Sequence, residues 1–248
     1  MKKGEAKKQA ILDAAERLFY ERGYEATSVQ DILDVLQCSK GSFYHHFESK
    51  VSVLETLCVR RTDKNATLCQ SKMSSNCLGS ESIAAVIYYA LPLRSGEESF
   101  LALLLPIASR EEGKTLSVQY SDALIHAFEP ILEEAMRKGN EDGSIYAYYP
   151  NQMSGIILRM INDCWQRAAI IEMGVAQEPT ASRTDVLSQL LNAYRFSIER
   201  LLDAPFGSMN ILPLAEWVQV FRIVKERLST QNRTPLFGEK DAAEIGTK

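Results

Sequence analysis

The sequence predicts an all-α protein whose first fifty residues form a small helical domain and whose remainder forms a larger one. Three observations carry this. Apolar residues recur at helical spacing along nearly the whole chain, serines and threonines stand where helix N-caps are needed, and Gly- or Pro-bearing polar breaks separate the periodic segments. Only 145–149 alternates in the manner of a strand, and a single strand makes no sheet.

Taken in order, Ile11, Ala14, Ala15, Leu18 and Phe19 form the apolar stripe of a first helix, and Gly23 supplies a left-handed C-terminal cap. Thr27 with Gln30 reads as a capping box opening a second helix, striped by Val29, Ile32, Leu33 and Leu36. Ser39 caps a third helix of about two turns, and Ser49 caps a fourth that starts at Lys50. Longer helices are expected over 50–72, 81–93, 97–110, 114–138, 151–172, 183–203 and 214–228. The breaks between them fall at 74–80, 95–96, 139–143 and 174–181. Residues 231–248 read as a polar, mobile tail. The domain division expected is therefore 1–50, 51–230 and that tail.

Composition excludes several classes of protein. At 248 residues, 46% hydrophobic and 24% charged, the chain has material for a sizeable core. The longest apolar run, 101–108, is under half of the about twenty residues that span a bilayer, and Pro106 interrupts it. No apolar signal core follows the basic N-terminus, so a cytoplasmic protein without a membrane partner is expected. The five cysteines are odd in number and form no C-x-x-C pair, which reads as reduced thiols, not a disulfide or zinc framework. Phosphate-cradling glycine loops, zinc-protease helices and nucleophile elbows are all absent, which argues against an enzyme and implies no cofactor.

The stretch SKGSFYHHFESK, residues 39–50, concentrates the chemistry. Two short helices around a turn at Gln37, Cys38 and Ser39 make a helix-turn-helix, with the second helix as reader. Lys40, Ser42, Tyr44 and His45 are its exposed side chains; Phe43 and Phe47, four apart, pack back on the first helix. Gly41 allows close approach to a base edge or phosphate. Tyr44, His45 and Lys50 suit phosphate oxygens, and Lys40 suits phosphate or guanine. A metal site at His45 and His46 is excluded, because neighbours on a helix point about 100° apart. Net charge is −4, and residues 1–50 hold eight basic and eight acidic residues, so attraction for DNA must come from placement. Helix N-termini at Thr27, Ser39 and Ser49 would add to it if they converge on one face.

Residues 7–54, KKQAILDAAERLFYERGYEATSVQDILDVLQCSKGSFYHHFESKVSVL, resemble the DNA-binding domain of TetR/AcrR-family transcriptional regulators. The likeness runs from Ile-x-x-Ala-Ala-x-x-Leu-Phe through Gly-Tyr-x-x-Thr-Ser and Ser-Lys-Gly-x-x-Tyr-x-His-Phe to Lys50. Two positions depart from it. Gln37 stands where the family usually has glycine, so a left-handed backbone is expected there, and Val51 and Ser52 replace common acidic residues.

The resemblance implies Thr27, Lys40, Tyr44, His45 and Lys50 as phosphate or backbone anchors, and Lys40, Gly41 and Ser42 as base readers. His46 would be half buried or on phosphate, and Ser39 the reader's cap. Beyond residue 50 it implies a helical domain that binds a small-molecule effector and forms a homodimer through its last two large helices. Tyr88, Leu104, Tyr120, Leu124, Phe128, Arg159 and Asp163 are then candidates to line an effector cavity. Ile161, Trp165, Leu187, Leu190, Tyr194, Ile198 and Leu201, on two apolar stripes, are candidates for the dimer interface. The function implied is a homodimeric repressor on a (pseudo)palindromic double-stranded operator, released by a partly apolar ligand. The alternative is an adaptor of the same fold controlled by a protein partner.

Overall fold

The computed structural model describes residues 3–74, 76–108, 111–173 and 182–231, and all secondary structure among them is helical. Helix α1 (Lys3–Arg22) presents Ile11, Leu12, Ala15, Leu18 and Phe19 to the core, and Gly23, at φ +88°, ends it by donating its N–H to the Phe19 carbonyl. The next helix, α2 (Val29–Leu36), is capped by Ser28, not by the expected Thr27. Ser28 Oγ accepts from the Asp31 amide, and the Asp31 carboxylate returns to the Ser28 amide at 2.7 Å, so the box closes on Asp31 and not Gln30. Thr27 is one residue too early because its hydroxyl turns inward to the carbonyls of Gly23 and Leu18.

After α2, Gln37 adopts the left-handed conformation expected of it, with φ 48° and ψ 46°. Helix α3 (Lys40–Tyr44) is a turn and a half, shorter than the reading from sequence. Its cap is Ser39, as expected, and Ser49 caps α4 (Lys50–Lys72) by exchanging hydrogen bonds with Ser52.

The larger bundle follows as α5 (Gly79–Ala90), α6 (Glu98–Ala108), α7 (Glu111–Asp142), α8 (Pro150–Glu172), α9 (Arg183–Leu201) and α10 (Leu214–Gln231). The central element is α7, which packs on α4, α5, α6 and α8. It runs through Gly139, where the sequence suggested a break. A Cβ on Gly79 would lie 2.1 Å from the Gly139 amide nitrogen, and one on Gly139 would lie 2.4 Å from Ile145. Gly79 therefore allows a close crossing of α5 on α7, Gly139 makes room for Ile145, and the chain turns only at Gly143, with φ +73°. The alternating stretch 145–149 is a pinned loop. Asn140 bonds both the amide and the carbonyl of Ala147, and the Tyr146 amide donates to the Leu202 carbonyl.

Helix α10 is tied across the bundle. Glu216 accepts from the Tyr88 hydroxyl and the Ser95 amide, and Lys225 meets Glu172 at 2.7 Å. All five cysteines are free. Burial pushes the thiols of Cys58 and Cys164 up to about 12 and that of Cys69 to about 11, which keeps them unreactive. No helix among the described residues is long and apolar enough to cross a membrane. The expected tail beyond Gln231 lies outside the described residues.

Candidate nucleic-acid interface

Alternation between packing and display organises α3. Phe43 and Phe47 are buried with ring centroids 5.9 Å apart, and they fix the helix against the core that α1 and α2 provide. With that face anchored, Lys40, Gly41, Tyr44 and His45 are exposed, while Ser42 and His46 are partly so. Tyr44 is 56% exposed, and its ring meets the edge of Phe43 at 5.4 Å, so one face of the phenol is held while its hydroxyl end is presented. A Cβ added at Gly41 would meet nothing closer than Ser39 Oγ at 4.0 Å. The protein's own packing does not require glycine there.

Two of the residues singled out from sequence are turned inward. Thr27 is fully buried, with its hydroxyl committed to two backbone carbonyls, so it closes the turn after α1 and presents no donor to a phosphate. The ammonium of Lys50 donates to the Tyr24 carbonyl at 2.8 Å and lies 4.0 Å from the centre of the Tyr24 ring. It clamps the start of α4 onto the α1–α2 turn, a tertiary role in place of the phosphate contact expected for it.

The helix N-termini also differ from expectation. At α2 the Asp31 carboxylate occupies the end, and Arg22 is 3.6 Å from it. Its hydrogen bonds from Ser28 hold Asp31 below its ordinary pKa of 3.8. The caps of α3 and α4 are satisfied by Ser39 and by the Ser49–Ser52 box. Internal groups therefore meet much of the positive potential of these ends.

The compensating charge comes from a place that sequence reasoning passed over. The N-terminal turn of α1 lies beside α3. Gly4, Ala6, Lys7 and Ala10 line an open depression with Ser42, and Lys8 approaches the Phe47 ring at 5.9 Å. Meanwhile Arg60 of α4 pairs with Asp13 and Glu16 of α1. Two acidic groups of the neutral N-terminal segment are thereby neutralised, and Lys7, Lys8 and Lys40 sit about the reader. The signal was the paired lysines ahead of the first apolar stripe.

Residues 11–57 match the family described as bacterial regulatory proteins, tetR family. The chain carries this match over 47 of its 248 residues. Its sequence is 49% identical over 47 residues to the HTH-type transcriptional repressor KstR2 of Rhodococcus jostii, a match covering 19% of this chain and 23% of that protein. It is 37% identical over 71 residues to an uncharacterized HTH-type transcriptional regulator in the lacX 3′ region of Lactococcus lactis, covering 29% and 34% respectively. The chain thus spans about a third or less of the length of these curated relatives. The fold extends further than the sequence likeness. A putative TetR-family transcriptional regulator from Syntrophomonas wolfei superposes with a TM-score of 0.51 at 15% identity, over 78% of this chain and 95% of that one.

In the larger helical domain, the effector candidates divide. Leu104, Tyr120, Leu124 and Phe128 are buried, and the Tyr120 ring lies 5.9 Å from both Phe100 and Trp165. Tyr88 is half-buried and bonded to Glu216. Arg159 and Asp163, by contrast, lie on the exposed side of α8. Arg159 donates to its own helix at Gly155, and Asp163 pairs with Arg167 and accepts from the Tyr194 hydroxyl. Neither faces the buried interior.

The dimer candidates divide in the same way. Ile161, Trp165, Leu187 and Ile198 are buried within the single chain, Leu190 and Tyr194 are partly buried, and Leu201 is exposed. The apolar stripes read from sequence are mostly this chain's own core. A second stripe on α8, Ile156, Arg159, Asp163, Arg167 and Ile170, faces outward at spacings of three and four. Its mixed composition concealed it from a search for apolar periodicity.

Proposed function

We propose that this protein is a homodimeric transcriptional repressor that binds a (pseudo)palindromic double-stranded DNA operator through α3 and leaves it when a small effector occupies the helical domain. The observation that carries the reading is the anchored α3, which displays Lys40, Gly41, Ser42, Tyr44 and His45 over buried Phe43 and Phe47, with Lys7 and Lys8 alongside. Lys40 and Ser42 read base edges, Gly41 lets the backbone come close, and Tyr44, His45 and His46 engage phosphates. Residues 1–50 are the DNA-binding domain and 51–230 the effector and dimerisation domain, joined by α4. Repression accords with relatives named as repressors or negative regulators, such as KstR2 and the IcaR regulator of the icaADBC biofilm operon in Staphylococcus aureus.

Exposed Ile156 and Ile170 on α8 and Leu201 on α9 support pairing of two copies on that face, so that two readers reach successive major grooves. Release requires that the effector prefer a second packing of α4, and a coupling of about 1–3 kcal/mol suffices. Selection of bound duplexes from random DNA, with sedimentation of the free protein, tests the proposal. A palindromic consensus and a dimer are expected. A monomer with no enriched sequence would overturn it.

A further inference from the structure

The helical domain contains a buried polar cluster that apolar packing does not require. Arg94, in the turn between α5 and α6, and Glu97 have side chains only 10% and 2% exposed. The Glu97 carboxylate accepts from Arg94 Nη2 at 2.8 Å and from Arg61 Nε at 2.7 Å, and Arg94 Nη2 also donates to Asn65 Oδ1 at 2.6 Å. Two guanidinium groups thus share one carboxylate. The Nε of Arg94, buried, has no acceptor. Buried donors are nearly always paired in native proteins, because an unmade bond forfeits the full cost of desolvation.

What surrounds the cluster indicates what would complete it. The Arg61 guanidinium lies 5.8 Å from the Phe100 ring centre, and Phe100, Tyr120 and Trp165 continue away from it as a chain of rings 5.9 Å apart. A cationic end with a free N–H, continued by an aromatic wall, is the recognition chemistry of an apolar molecule with an anionic head. We infer that Arg94 anchors the carboxylate of an acidic, otherwise apolar effector, whose body lies along the wall of Phe100, Tyr120 and Trp165. This inference rests on the effector-responsive reading above and names the effector's class.

The cluster also lies close to the contact with the reader's domain. The effector carboxylate competes with Glu97 for guanidinium N–H groups. Glu97 holds Arg61, and the next residue back, Arg60, holds Asp13 and Glu16 on α1. Loosening Arg61 from Glu97 therefore changes how α4 carries α1.

The test uses matched pairs on the full chain, without DNA, by calorimetry: 2-naphthoate against 2-naphthylmethanol, and decanoate against decanol. The acid of at least one pair is expected to bind at least tenfold more tightly than its alcohol. R94M should remove that preference while leaving alcohol binding unchanged, and R94K should restore part of it. Equal binding of acid and alcohol, preference for the alcohol, no binding by any of the four, or an acid preference untouched in R94M would each overturn the inference. If R94M does not fold, the wild-type comparison alone decides. Operator binding is measured separately on the unliganded protein. Its loss would count against the regulator reading, while acid binding without DNA still decides the role of Arg94.

Discussion

Replacing Lys50 with methionine tests whether its ammonium is a tertiary clamp or a phosphate contact. The clamp consists of a charged hydrogen bond to the Tyr24 carbonyl at 2.8 Å and a cation–ring contact at 4.0 Å, both between segments 26 residues apart. A hydrogen bond to a charged group is worth about 1.5–3 kcal/mol, and a half-exposed cation–ring contact about 0.5–1 kcal/mol. Methionine keeps most of the stem, and releasing an ordered lysine returns up to about 2 kcal/mol of side-chain entropy. The net loss expected is about 1–2 kcal/mol, or a fall of about 2–8 °C in Tm at this chain size. A phosphate contact would have another signature. Losing one lowers the slope of log K against log salt by about 0.9. The assay is a salt titration of operator binding by anisotropy, run beside thermal melts, with Lys40→Met as reference. Lys50→Met should lower Tm and leave the slope unchanged, and Lys40→Met should do the reverse. A Lys50→Met protein of unchanged Tm whose slope drops by about 0.9 would refute the clamp.

Three further outcomes follow from the same domain. Tyr44→Ala, at an exposed phenol, should weaken binding to all duplexes alike while changing stability by under about 0.5 kcal/mol, as gel shifts and melts would show. Gln37→Gly should stabilise the protein by about 0.5–1 kcal/mol in urea, because glycine adopts φ 48° without steric cost; a loss of stability would show that the left-handed turn is not strained. Asp31 has a depressed pKa in the fold, so the unfolded chain takes up its proton first as pH falls. Its contribution is complete above the ordinary value of 3.8 and is lost as pH falls through the lower folded value. The Tm gap between wild type and Asp31→Asn should therefore hold steady from pH 7 to 5 and narrow below 3.8; a gap independent of pH would contradict the capping role.

What sequence revealed and what it concealed separate by distance along the chain. Ser39 and Ser49 were legible as caps because a cap is decided by a side chain and an amide three residues apart. The same logic narrowly misplaced the first cap. Thr27 and Ser28 are adjacent and chemically alike, and only the inward pull of the Leu18 and Gly23 carbonyls selects between them. Gly139 looked like a break because what it serves is not read from its neighbours: Gly79, sixty residues earlier, lies against its backbone, and Ile145 takes the place of its side chain. Arg94 gave no sequence signal at all, since its partner Asn65, and Arg61 with which it shares Glu97, belong to a helix about thirty residues upstream.

The sequence by itself determined that the chain is helical, where most helices start, and that residues near 40–47 make a short displayed helix with Phe43 and Phe47 as its anchor. Those properties follow from periodicity and capping, which act within one or two turns. Only the tertiary structure decided which surface each stripe meets. Ile161 and Leu187 could have faced a second copy and instead face their own core, while Lys50 turned from solvent to the Tyr24 carbonyl. Periodicity states that a face is apolar, and amino-acid type states that a group is charged. What each one touches depends on segments brought together from far along the chain.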